Sequence, residues 1–413
     1  MKVTSARDGF ALPAAVGAMV IIGVLVTAGF YMAQQEVRIG IASSNAQLAF
    51  YLAERGANDV VNDWSASTML NMSRWSDTTL TDTLDIGAWS VTARRLGTRL
   101  FYLDATGTVT QGGTQFAGAS RRSGLIVRLF SADIAPPGAL TTRGPTYLKG
   151  TAEVHGEDIY PDGWSSVCTN SLTDKPGIVA QDTADVRWEG SDSTDVVTCS
   201  YTGLGVSKIT TCDTTSGGSN ISGTPELMQD SLMVDSTFTT FGDMTWDDLV
   251  SLADKTVTSL GSIINATGPD STAGGGCVTA TLTNWGNPEG DVASACADYF
   301  PIIYHGGPSL RIQSGGTGQG ILLVDGGLDL RGGFVFNGVV IVQGSFETQG
   351  SGNRILGGVM ASNVDLTEQS LVGGSQVQYS TCALERAILG NDGLTRARPL
   401  TIRSFIDLSS VIN

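Results

Sequence analysis

The chain has 413 residues, with 24 Lys and Arg against 40 Asp and Glu, a formal net charge of −16 at pH 7. No excess of cations exists to neutralise a phosphate backbone, so nucleic acid is excluded as an expected partner. With 53 Gly, 15% charged residues, 41% hydrophobic residues and 2 His, the composition reads as a glycine-rich β protein and leaves little for a zinc site or a histidine relay.

Met1 to Gly9 is short and polar, with Lys2, Arg7 and Asp8, and Phe10 to Ala33 is a run of 24 residues without a charge. At about 1.5 Å per residue a helix of that length covers the ~30 Å hydrocarbon core of a bilayer. Pro13 stands near its start, where a missing N–H costs least. The basic leader places the amino terminus in the cytoplasm by the positive-inside rule. A secretory signal peptide would show a shorter apolar run closed by a small-x-small site. Here the pattern continues instead. Ile39, Ala42, Ala46, Ala49, Ala53, Ala57, Val60 and Trp64 recur every three or four residues, a stripe of mostly small side chains that predicts one helix over 10–64, with 10–33 in the membrane. Small residues let a second backbone approach closely; packing on the chain's own globular part is the other use of such a stripe.

Gly9 followed by Phe10-Ala11-Leu12, an uncharged run and a continuing helix resembles a type IV prepilin. The segment Ala49-Phe50-Tyr51-Leu52-Ala53-Glu54-Arg55-Gly56 resembles the matching stretch of PilX-type minor pilins, which are pilus-assembly proteins. The resemblance covers residues 7–64. It implies cleavage between Gly9 and Phe10 by a prepilin peptidase, methylation of the new amine on Phe10, and incorporation into a pilus or pseudopilus through a helix bearing Phe10, Leu12, Ala14, Ala49, Phe50 and Glu54. It further implies a single pass in the inner membrane before assembly, then a pilus or cell-surface location. Major pilins carry Glu at the fifth residue after the cut, where this chain has Ala14. In the family that carboxylate meets a neighbour's terminal amine in an apolar core, where an unpaired charge is expensive. A subunit without it is expected at the filament tip, in assembly initiation or adhesion, rather than as the repeating unit.

After the helix, 65–137 reads as an antiparallel meander through Trp89–Ala93, Arg99–Leu103 and Gly124–Phe130, ended by Pro136-Pro137-Gly138. Residues 138–160 and 301–390 show short apolar runs such as Ile321–Val324, Phe334–Phe336, Val339–Val342 and Val364–Leu366. Gly326, Gly332, Gly333, Gly338, Gly344 and Gly357 are placed at their corners. Regular short strands with glycine corners predict a β-solenoid-like head; an antiparallel sandwich is the alternative. Residues 391–413 read as a closing strand segment. Between the two head parts, residues 151–300 hold 4 basic and 22 acidic residues, and 161–300 reads as an acidic insertion with one helix near Trp246–Leu260. Five of the six cysteines fall there: Cys168, Cys199, Cys212, Cys277 and Cys296, with Cys382 outside. Sequence-near pairing joins Cys199 to Cys212 and Cys277 to Cys296 and leaves Cys168 for Cys382. Six cysteines allow 15 connectivities, and reduced thiols are the other reading.

The expected fold is therefore α+β: a long transmembrane and amphipathic helix, a meander, and a mainly-β head with a disulfide-stapled insertion. No catalytic residue and no cofactor is expected. Gly315–Gly320 lacks the Lys-Ser/Thr of a phosphate loop, His155 and His305 have no local ligand partners, and no nucleophile elbow is present. Calcium is the one ion whose ligand type occurs in clusters, at Asp158/Asp162, Asp192/Asp195 and Asp243/Asp247/Asp248. The expected function is non-enzymatic, with other pilins as partners and an unidentified head ligand. The alternative is a membrane-anchored surface protein whose head binds or cleaves carbohydrate.

Overall fold

The computed structural model describes residues 11–64, 69, 72–97, 99–110, 119–169, 171–189, 195–202, 209–216, 220–289, 293–363, 369–400 and 405–408. The fold is α+β, one long amino-terminal helix followed by a mostly β body with three disulfides. By packing, the chain divides into Met1–Leu129 with Ala397–Asn413, and Phe130–Arg396.

In the first unit, helix α1 (Ala11–Asn62) is followed by strands β1 (Asp77–Leu84), β2 (Gly87–Arg95), β3 (Leu100–Val109) and β4 (Ser120–Ser131). The four strands form an antiparallel meander, extended beyond β4 by Thr395–Pro399 and Phe405–Asp407. Alternate residues of β2 to β4 turn one apolar face inward: Trp89, Val91, Ala93, Phe101, Leu103, Ala105, Leu125, Val127 and Leu129 are all buried. The last third of α1 lies on that face through Ala49, Leu52, Ala53, Ala57 and Val60. Two glycines permit the close approach. A Cβ on Gly56 would stand 2.7 Å from the Trp89 ring, and one on Gly107 would fall on the Ala49 carbonyl. Trp64 closes the core edge-on to Phe101, with ring centroids 5.0 Å apart. Each large apolar side chain buried there contributes about 1.5–3 kcal/mol. On the solvent side Arg94 forks onto Asp77 at 2.6 and 2.7 Å, an exposed pair that sets register more than stability.

The second unit is a stack of parallel coils, each with three short faces. The first face is built by residues 316–319, 334–337, 354–357, Gln376–Tyr379, Glu153–His155 and Ile221–Ser222. On the second face Lys255–Thr256, Ile302–His305, 321–324, 339–342, 359–361, Leu140–Thr142, Ile178–Ala180 and Leu227–Asp230 follow one another. The third runs Ile263–Ile264, Ser309–Ile312, Gly327–Arg331, Phe346–Gln349, Gln369–Val372, Thr146–Lys149 and Val186–Glu189. Leu310, Ile321, Leu323, Leu330, Phe334, Phe336, Val340, Val342 and Phe346 fill the interior. At one end the hairpin Asp195–Thr202/Ile209–Ser216 continues the second face.

Space order and chain order differ. The chain joins the stack in its middle at Leu140, builds toward the hairpin end, crosses to Lys255 at the opposite end, and builds back until 354–379 meets 140–155. The expected split of 161–300 as a mere insertion is thereby corrected. Ile178–Ala180, Val186–Glu189, Leu227–Asp230, Lys255–Thr256 and Ile263–Ile264 are rungs of the stack. The expected helix over Trp246–Leu260 is also broken. It ends at Ser251, and Lys255–Thr256 pairs with Ile303–Tyr304 before a short 3₁₀ turn, Val257–Leu260. Its start is fixed by a capping box between Thr245 and Asp248.

Gly332 and Gly333 take positive φ at corners, as expected, but Gly338 and Gly357 lie inside strands. They align with Gly320 across three coils and share positive φ values of 106°, 140° and 135°, bending the chain from the first face to the second. Buried amides tie other corners. Asn353 Oδ1 accepts from the Gly333 and Phe334 amides, and its Nδ2 donates to Leu330, Gln349 and Ser375. Gln369 bridges the Phe346 amide and Thr142. The disulfides are Cys168–Cys382, Cys199–Cys212 across the hairpin, and Cys277–Cys296. The first sits with Trp164, Phe300 and Ala383 against the helix Thr381–Leu389.

Candidate functional site

The feature that packing inside the chain leaves unexplained is the first two-thirds of α1. From Leu12 to Gly40 nearly every side chain is exposed, including Met19, Val20, Ile21, Ile22, Val24, Leu25, Val26, Phe30, Tyr31 and Met32. Leu12 is 79% exposed and Ile39 67%. Among the described residues this is the one helix long and apolar enough to cross a membrane, with a mean hydropathy of 2.2 over its best 18 residues. An apolar rod on this scale is costly in water, because each Å² of apolar surface costs about 25 cal/mol when hydrated. Lipid or other helices are the kind of surroundings that would cover such a surface. No acidic residue stands in its first turn.

The residues singled out for this helix divide by environment. Gly9 and Phe10 lie outside the described residues. Leu12 and Ala14 are on the exposed rod. Ala49 is fully buried under its own sheet, together with Ala53 and Ala57. The lower half of the small-residue stripe is therefore used inside the molecule, and Ala49 cannot face a neighbouring helix. Phe50 and Glu54 are half-buried. Phe50 lines an open groove of about 690 Å³ with Ile39, Ala42, Ala46 and Arg121. Arg121 of β4 was not legible as a groove residue, since only the meander brings it beside the helix.

Of the residues read as calcium ligands, Asp158, Asp162 and Asp248 are engaged by protein groups. Asp158, 3% exposed, accepts from the Thr173 and Thr381 amides at 3.0 and 2.8 Å and from the Thr381 hydroxyl at 2.6 Å. Asp162 pairs with Arg354 at 3.0 Å, and Asp248 caps its helix. Asp192 lies outside the described residues. No group of three His, Cys, Asp or Glu placed to hold a metal occurs among the described residues.

His155 is more elaborately held than its sequence context indicates. Its Nε2 is 3.0 Å from Glu153 Oε2 and its Nδ1 2.7 Å from Ser222 Oγ, which donates to Glu157 at 2.6 Å. Glu153, His155, Ser222 and Glu157 thus form one hydrogen-bonded set that links adjacent coils. Across the unit, Asp325 accepts from Tyr304 at 2.7 Å and from the Trp246 indole at 3.2 Å. Burial, reinforced by Asp325, pushes the Tyr304 phenol up to about 12, and burial likewise takes Tyr299 to about 12. A phenol with an unfolded value near 10 that is raised on folding contributes stability that is intact below pH ~10 and lost as pH rises through about 12. Denaturation midpoints measured across that window should fall with pH, and Tyr304→Phe should flatten the fall.

No family model matches the chain. No curated protein matches it. Among solved structures, the competence-associated pilin ComZ from Thermus thermophilus is similar at 11% identity and a TM-score of 0.21, over 86% of this chain and 98% of that one.

Proposed function

We propose that the chain is a minor-pilin-like component of a type IV pilus or pseudopilus. Residues 10–33 hold it in the inner membrane with the amino terminus cytoplasmic, a prepilin peptidase cuts between Gly9 and Phe10, and α1 then packs among the helices of other pilins. The observation that carries this reading is one unbroken helix, Ala11–Asn62, apolar and unpartnered over its first part and seated on its own sheet over its last. A plain membrane anchor has no need to run rigidly from the bilayer into a folded domain. Ala14 supports a place at the tip, since no carboxylate stands there to meet a neighbour's amine. The role is docking without chemistry, in assembly initiation or adhesion, and three disulfides fit an oxidising compartment. An anchored surface protein that never enters a filament is the competing reading.

Mass spectrometry of the mature amino terminus decides between them. The expected species begins at an N-methylated Phe10, and Gly9→Leu should leave the leader attached and abolish filament incorporation. A wild-type chain that keeps Met1 in the membrane fraction defeats the proposal.

A further inference from the structure

Ile221–Ser222 is the end rung of the first face and, among the described residues, pairs there only with Val154–His155. Its ladder bonds are few: the Val154 amide donates to the Asn220 carbonyl and the Gly156 amide to the Ser222 carbonyl, both at 2.8 Å. Side chains add a row of three contacts across the two rungs. Glu153 Oε2 meets His155 Nε2 at 3.0 Å, His155 Nδ1 meets Ser222 Oγ at 2.7 Å, and Ser222 Oγ meets Glu157 Oε2 at 2.6 Å. Each contact is a hydrogen bond only while a proton lies in it. An ionised carboxylate brings no proton, a hydroxyl brings one, and a neutral imidazole brings one. The three contacts therefore draw on two protons, and the set closes only by taking up a third. That proton belongs to the set as a unit, on the imidazole or on a carboxyl.

The neighbouring groups do not fill the gap. On the other side of Glu153–His155, Gln376 stands opposite Glu153 and Gln378 opposite His155, both uncharged, and the Gln378 amide donates to the Glu157 carbonyl. One rung further, Arg354 stands opposite Gln376 and is held by Asp162. Asp158 accepts from the Thr173 and Thr381 amides, Asp174 from the Asp158 amide, and Glu226 from the Val197 amide. Lys175, whose backbone bonds to Gly156 and Thr224, takes part in none of the three contacts. We propose that Glu153, His155, Ser222 and Glu157 form a proton-operated clasp at the hairpin end of the stack, closed in acid and slack once the proton leaves. Without that proton, two acceptors face each other in one contact. The rung that gives way is Ile221–Ser222, which has a neighbour on one side only. Because the closed set holds the extra proton, its stability falls as pH rises. The clasp lies in the second unit alone and does not depend on filament membership.

The test is amide hydrogen exchange read by mass spectrometry on the full chain in detergent, at about pH 5 and about pH 8, either side of the range in which imidazole titrates. Rates are corrected for the intrinsic effect of pH and referred to the Phe346 amide, which donates to Gln369 on the third face. Protection of the Gly156 amide should fall about tenfold at the higher pH, the loss of one hydrogen bond to a charged group. His155→Gln should remove this pH dependence. Glu157→Gln is the sharper variant. Its amide nitrogen can donate to Ser222 Oγ, Ser222 then donates to a neutral His155, and every contact closes without an added proton. Protection in Glu157→Gln should therefore stay at the acid level at both pH values. A carboxylate that only props the turn predicts the opposite, a loss at both, and that result overturns the proposal. So does equal protection of the wild-type chain at the two pH values, or a pH dependence that survives in His155→Gln.

Discussion

Gly338→Ala should destabilise the second unit by about 4 kcal/mol, a large share of the 5–15 kcal/mol typical of a domain. Two effects add. The φ of +140° is one that side-chain-bearing residues rarely adopt, which costs on the order of 1–3 kcal/mol. A Cβ at this position would also fall on the Gly320 carbonyl oxygen, with Gly320 itself fixed in the ladder. The neighbouring coil cannot yield, because Gly357 sits in the same register with the same kind of bend. Gly274→Ala is the control, since nothing lies nearer than 3.9 Å to its Cβ position, and it should change stability by less than about 0.5 kcal/mol. Urea denaturation followed by Trp fluorescence measures both. Equal midpoints would mean that the glycine bend is not a fixed corner of the stack.

Removing the Cys168–Cys382 bridge should cost still more. It closes a loop of 214 residues, and chain entropy assigns such a closure about 5 kcal/mol. Cys199–Cys212, 13 residues apart, is worth about 3 kcal/mol by the same reasoning. The double variant Cys168→Ser/Cys382→Ser should therefore unfold at lower urea than Cys199→Ser/Cys212→Ser. The larger effect also has a packing side, because both sulfurs are buried against Trp164, Phe300 and the helix Thr381–Leu389. The reverse order would show that the long loop already holds structure when unfolded.

How far the sequence discloses this molecule depends on the range of its signals. The helix is legible because an uncharged run and a three-to-four spacing are local and long. The meander is legible in β2 to β4, which are nine to twelve residues long and alternate buried with less buried side chains, whereas β1 shows no such alternation and is not among the strands expected from the sequence. The acidic segment conceals its rungs, since a stretch such as Ile178-Val179-Ala180 is only three residues, too short for a period to show. Helical periodicity past Ser251 misleads because Asp254 and Lys255 serve the sheet: Asp254 accepts from the Ile302 amide at 2.8 Å while Lys255 pairs beside Ile303. Ala49 looks like an outward small residue until the glycine facing it, Gly107, is placed. The clasp is illegible altogether. Ser222 reaches His155 and Glu157 only through coil stacking, from 67 and 65 residues further along the chain.

The middle of the stack is where the first-made and last-made rungs join, Leu140–Thr142 against 359–361 and Thr146–Lys149 against Gln369–Val372. During synthesis the early rungs emerge with this side bare and wait until more than two hundred further residues have been made. An exposed parallel ladder accepts any matching edge, including that of a second nascent copy. Production of this protein is thus a race between self-closure and exchange of halves between chains. Slowing translation late in the message should favour interlocked dimers at the expense of monomer.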